Sequence, residues 1–228
     1  MSVINRAFTD EQKQARRAAI LRVAMTRFAD TSYDALSMAE IAAASGVAKG
    51  TLYLYFQSKE ELFLALYEQE LDGWFDELDA ALSGQQGAGS IEGLLQLVSE
   101  SLARRPAFLR LIAILHTVLE RNVDHATALR FKTRLRERVL HTGQLLERNL
   151  PFLQPGQGAE LLLKTDALVI GFQHLAEPSE VLRQVLAMPE MELFRVNLEQ
   201  QLLSTLRTLL MGLAYEARAR QERQNARR

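Results

Sequence analysis

The sequence predicts an all-α protein of about nine or ten helices, and three observations carry that expectation. Apolar residues recur at the helical period through nearly every segment, no segment alternates with period two, and no hairpin dipeptide or internal repeat breaks the pattern. Composition agrees with a folded globular chain: 228 residues, 48% hydrophobic and 24% charged. That length allows one large domain or two small ones.

Composition also excludes function classes. There is no cysteine, which removes disulfide frameworks, cysteine metal sites and thiol catalysis. The four histidines, at 116, 125, 141 and 174, show no i,i+4 pairing and no HExxH, so no metal site is expected. GxSxG, a phosphate loop and a dinucleotide fingerprint are missing too, so neither an enzyme nor a cofactor is expected. No run of about 18 uncharged apolar residues would span a membrane, and "MSVINRAFTDEQKQARRAA" lacks the apolar region of a secretory signal. A cytoplasmic location is expected. The net charge of −1 divides unevenly: residues 1–60 hold eight Lys/Arg against six Asp/Glu, and the remainder 19 against 22. That balance permits a basic face near the N-terminal end.

In chain order, "TDEQ" at Thr9–Gln12 reads as a capping box, opening a helix with Ile20, Val23, Ala24 and Phe28 on one face. "ADTSYD" ends it. Ser37 and Glu40 form another capping box, and Leu36 and Ile41 have the spacing of a hydrophobic staple. This helix is short because Gly46 supplies a left-handed residue at its end. A helix over about 48–56 then completes a helix-turn-helix. At roughly 100° per residue, Leu52 and Phe56 point inward and Gly50 and Leu54 outward, with Thr51 and Tyr53 flanking and Lys49 in the first turn. Gly50 costs about 1 kcal/mol against alanine inside a helix, which makes sense where something bulky must come close.

Ser58 and Glu61 make a further box, opening a helix to about Leu82 with Phe63, Leu66, Tyr67, Leu71, Trp74 and Leu78 on its stripe. Lys59 sits in the first turn, where the helix dipole disfavours a cation, and a lysine beside a helix N-terminus suits an anion. "SGQQGAGS" at 83–90 reads as a loop. Helices at about 91–104, 107–121, 124–149, 158–176, 179–188 and 190–217 follow. Pro106 suits a helix start, and "LPFLQPGQG" at 150–158 breaks the chain. A basic tail over 218–228 is expected to be disordered.

The stretch "LSMAEIAAASGVAKGTLYLYFQSKEELFLAL" resembles the DNA-binding region of the TetR family of bacterial transcriptional regulators, and the likeness extends over about residues 12–70. It implies a DNA-binding domain at 9–58 and a ligand-binding and dimerisation domain at 59–217. It places DNA contacts at Ser37, Lys49, Gly50, Thr51, Tyr53, Leu54 and Tyr55, and a backbone phosphate at Lys59. Helical spacing alone makes Tyr55 a core-edge residue. Met38 and Ala39 stand where many members have Thr or Arg on the backbone, leaving Ser37 to carry that contact. The partners implied are double-stranded DNA with a near-palindromic operator, a second copy of the chain, and a small, largely apolar ligand, with no membrane.

The same resemblance assigns the dimer interface to Leu161, Leu168, Gly171 and Leu175 on one helix and Leu198, Leu202, Thr205, Leu206 and Leu209 on another. Such leucine stripes are core in any helical protein, so by themselves they do not show dimerisation. A ligand cavity is mostly apolar with a few polar groups. Tyr67, Trp74, His116, Gln144 and His174 are the polar candidates, with Phe108, Leu111, Leu115 and Phe172 as walls. A histidine on an apolar face is more often a satisfied core group. The expected function is a repressor released from DNA by its ligand. The alternatives are an activator, a ligand-blind regulator with a filled core, and a helical interaction module.

Overall fold

A computed structural model describes residues 2–84 and 89–226, apart from the side chains of residues 2–9, His116 and Thr117. Thr9, residues 85–88 of the glycine-rich loop and the last two residues of the tail thus fall wholly or in part outside the described residues. Those described form ten α-helices and no strand. They are α1 Ser2–Asp30, α2 Met38–Ala44, α3 Lys49–Tyr53, α4 Lys59–Gly84, α5 Ile91–Ala103, α6 Pro106–Ile114, α7 His125–Asn149, α8 Gln157–Ala176, α9 Glu180–Leu186 and α10 Leu198–Asn225. Among the described residues no helix is long and apolar enough to cross a membrane.

The chain divides into two compact units, Met1–Gln69 with Ile114–Ala128, and Glu70–Ala113 with Leu129–Arg228. The change of unit falls inside α4, after Gln69. No proline interrupts α4, so the helix is continuous in sequence from Lys59 to Gly84. In the first unit α1 packs on α2 and α2 on α3. Ile20, Ala24, Phe28, Ile41, Leu52, Phe56 and Phe63 form its core. Phe28 meets Phe63 edge-on, with ring centroids 5.2 Å apart. Helix α1 begins at Ser2, upstream of Thr9. Nothing between Ser2 and Thr9 breaks a helix, so the "TDEQ" box lies in the interior of α1 and does not open it.

In the second unit α10 packs on α8 and α5. Helices α7 and α8 touch backbone to backbone at Gly143 and Gly158, where an added Cβ on Gly158 would lie 2.1 Å from the Gly143 oxygen. Glu147 closes the start of α8, its Oε1 accepting from the N–H groups of Gly156 (2.8 Å) and Gly158 (3.0 Å). A carboxylate suits that positive helix end. Asp72, Asp76 and Asp79 of α4 pair with Arg134 and Arg138 of α7.

Three segments depart from expectation. The helix expected over 107–121 passes into a π-helical turn at Leu115–Leu119. The one expected over 190–217 is divided, because Asn197 caps α10 by accepting from Gln200 N–H (2.9 Å), leaving Pro189–Phe194 as a 3-10 turn. The tail expected to be disordered continues α10 as far as Asn225. Its Ala, Arg, Gln and Glu residues are good helix formers, and Arg220 pairs with Glu216 one turn back.

Candidate nucleic-acid interface

The turn of the helix-turn-helix is built by local chemistry. Ser37 Oγ accepts from the Glu40 N–H (3.2 Å), and the Ser37 N–H donates to Glu40 Oε2 (2.8 Å). The Ser37 hydroxyl donates to the same carboxylate (2.7 Å), and Leu36 and Ile41 are buried on either side of the cap. Gly46 has φ +66°, a conformation that costs any side chain. These hydrogen bonds, first the one from the Ser37 hydroxyl, hold the Glu40 carboxyl below the ordinary glutamate range. A depressed carboxylate contributes stability above its unfolded value and loses it as pH falls through the folded value. Ser37→Ala should lower stability at neutral pH by removing the cap, with the difference shrinking in acid-titrated urea unfolding as pH falls through the depressed Glu40 value.

Helix α3 has one inner and one outer side. Leu52 is buried, as is Phe56 just beyond the helix. On the outside Tyr53 is 41% exposed and Leu54 78% exposed, with Lys49 and Gly50 exposed and Thr51 partly so. A Cβ at Gly50 would meet nothing within 4 Å, so no packing inside the chain requires glycine there. Tyr55 is half-buried beside Gln12, Lys13 and Arg16 of α1, which brings it off the outer face and matches its core-edge spacing.

Ser58 caps α4 by accepting from the Glu61 N–H (3.1 Å), but the Glu61 carboxylate takes the Gln57 N–H (2.7 Å), one residue from the expected partner. Lys59 is not splayed into solvent. Its Nζ donates to the Tyr33 carbonyl (2.5 Å) and sits 3.9 Å from the centre of the Tyr33 ring. Burial lowers its pKa from the ordinary lysine value. Tyr33 carried no signal in the sequence reading, because its contact with Lys59 spans 26 residues.

Most of the expected cavity residues lie elsewhere. The second unit holds an apolar cavity of about 20 Å³, lined by Trp74, Leu78, Leu95, Leu146, Leu162 and Thr165 among others. That is room for one water-sized guest. Trp74 is the one predicted residue that lines it, and its Nε1–H donates to buried Ser101 (3.1 Å). Phe108 and Leu111 are buried in the same unit but do not line it, while Tyr67 and Leu115 are buried in the first unit. Gln144 and His174 are exposed and Phe172 is half-buried; the His116 side chain lies outside the described residues.

The interface residues divide as well. Leu161, Leu202 and Leu206 are buried in the chain's own core, because α8, α5 and α10 pack there. Leu168, Leu198, Thr205 and Leu209 are half-buried, and Gly171 and Leu175 are exposed. The large apolar side chains exposed on these two helices are the expected Leu175, with Leu163 on α8 and Met211 and Tyr215 on α10.

Residues 20–66 match the family model described as bacterial regulatory proteins, tetR family. Residues 68–217 match the tetracyclin repressor-like C-terminal domain. The chain is 35% identical over 94 residues to the uncharacterized HTH-type transcriptional regulator YfiR of Bacillus subtilis, covering 41% of this chain and 46% of that one. It is 32% identical over 103 residues to the HTH-type transcriptional repressor KstR2 of Mycolicibacterium smegmatis, covering 43% and 49%. It thus spans about half the length of the curated relatives it matches. A tetR-family transcriptional regulator from Streptomyces coelicolor shares the fold, with a TM-score of 0.55, 16% identity, and coverage of 90% of this chain and 89% of that one. With both family models matched in sequence order, the chain belongs to the TetR family of bacterial regulatory proteins.

Proposed function

We propose that the chain binds double-stranded DNA in the cytoplasm as a dimeric transcriptional regulator, with α3 in the major groove and Lys59 at a backbone phosphate. The observation that carries this reading is the outer face of α3, where Tyr53 and Leu54 stand in solvent beside a bare Gly50. Leu54 suits a thymine methyl, Lys49 a guanine edge or a phosphate, and Thr51 and Tyr53 phosphate oxygens. The unpartnered stripe of Leu163, Ala167, Gly171 and Leu175 on α8, with Met211 and Tyr215 on α10, is the face offered to a second copy. Two recognition helices then read half-sites about 34–36 Å apart, and the site is a near-palindrome.

Lys59→Ala should weaken binding to every duplex about equally and lower the slope of log affinity against log salt by about 0.9. Titrations of two unrelated duplexes across salt concentration measure both. A changed base preference at unchanged slope contradicts the phosphate role.

Repression, the sign printed for KstR2, is the sign adopted here, with release by a small apolar ligand. The apolar lining of the cavity supports that chemistry, since Thr165 is engaged with the Leu161 carbonyl (2.8 Å). The volume of about 20 Å³ favours a second reading, a ligand-blind regulator with a filled core. A panel of apolar compounds assayed for release of bound duplex separates the two: release supports the first, and none across the panel supports the second.

A further inference from the structure

We infer that Tyr33 is the positioning residue for the ammonium of Lys59, an inference that rests on the DNA-binding reading above. Tyr33 lies in the turn between α1 and α2, outside the recognition helix, yet three of its groups converge on the start of α4. Its carbonyl accepts from Lys59 Nζ (2.5 Å), its ring lies 3.9 Å from that nitrogen, and its hydroxyl donates to Glu60 Oε1 (2.8 Å). The ring is itself held in place. Phe63 meets it edge-on at 4.9 Å and 83°, and Phe28 supports Phe63 from behind.

An ammonium has three donors. One is spent on the Tyr33 carbonyl, leaving two for a phosphate without any need for Lys59 to let go. Lysine is a flexible side chain, and ordering it at an interface is a cost of binding that a preformed geometry removes. The Tyr33 ring supplies that geometry through its π-face, which attracts the cation. The hydroxyl engages one oxygen of Glu60, the carboxylate next to Lys59 in sequence, while the ring and carbonyl of the same tyrosine hold the ammonium.

A tyrosine that only fills the core would affect folding in the same way whatever stood at position 59. The test is a thermodynamic cycle on the full-length chain, using a fluorescein-labelled duplex of mixed sequence at low salt. Tyr33→Leu should weaken binding about three- to tenfold, and Tyr33→Phe, which keeps the ring, less than about twofold. In a Lys59→Ala background Tyr33→Leu should have no further effect. Equal weakening in both backgrounds overturns the inference and leaves Tyr33 a packing residue, as does full affinity of Tyr33→Leu alone. Wild-type affinity of Lys59→Ala would instead remove the phosphate reading, and the inference with it. Urea unfolding accompanies each variant. If Tyr33→Leu does not fold, Tyr33→Met replaces it, retaining apolar bulk without a π-face.

Discussion

Gly158→Ala should lower the unfolding free energy by about 3 kcal/mol, at the upper end of what overpacking costs in a close-packed interior. The added Cβ would stand 2.1 Å from the Gly143 oxygen, 2.7 Å from its carbonyl carbon and 2.9 Å from its Cα. All three are backbone atoms, so no rotamer change relieves the clash and α7 and α8 must move apart. That movement also pulls the Gly156 and Gly158 N–H groups from Glu147, uncapping α8. The control is Gly50→Ala on α3, where a Cβ meets nothing within 4 Å. There alanine adds helix propensity and should stabilise the free chain by up to about 1 kcal/mol. Urea unfolding of both variants gives opposite signs if the close approach is real. A Gly158→Ala protein as stable as wild type would show that the crossing is not in backbone contact.

Tyr53→Ala should weaken duplex binding about ten- to a hundredfold, the cost of losing a hydrogen bond of about 1.5–3 kcal/mol to a charged phosphate oxygen. Its effect on folding should stay within about 0.5 kcal/mol, because the side chain is exposed. Gly50→Ala gives a sharper signature. The open space around Gly50 lets alanine stabilise the free helix, while a methyl on the face that meets DNA obstructs its approach. Stability should rise as affinity falls. A Gly50→Ala protein that binds DNA as well as wild type would mean that the outer face of α3 does not come close to a partner. Fluorescence anisotropy with a labelled duplex, beside thermal unfolding, measures both quantities.

The residues that were readable from sequence share one property: their interactions are short-range. Ser37 and Glu40 are three residues apart, Leu52 and Phe56 four, and Gly46 needs no partner at all, so capping and helical phase suffice to place them. What escaped is long-range. The Tyr33–Lys59 contact, the Gly143–Gly158 crossing and the Glu147 cap depend on how distant helices meet, which no window of the chain reports. The expected interface residues divide between core and surface for a different reason. Helix α8 runs "ELLLKTDALVIGFQHLA", apolar on more than one side, and such a helix has no clear phase from which to tell Leu161, buried, from Leu163, exposed. A polar residue on an apolar stretch need not face inward. Gln144 and His174 face solvent, while among the described residues the buried polar ones are Ser101, Thr127, Thr142, Asn149, Thr165 and Gln173. At Ser101 and Thr165 the hydroxyl donates to a main-chain carbonyl, as a buried polar group must be paired.

The most direct measurement is selection from a random duplex pool by the purified full-length protein, with the Lys59→Ala/Tyr53→Ala variant in parallel. The account predicts enrichment of a two-fold-symmetric site with half-sites about one helical turn apart, and loss of that enrichment in the variant. Equal recovery by the variant, or no enrichment by the wild type, would contradict the placement of α3 in the groove.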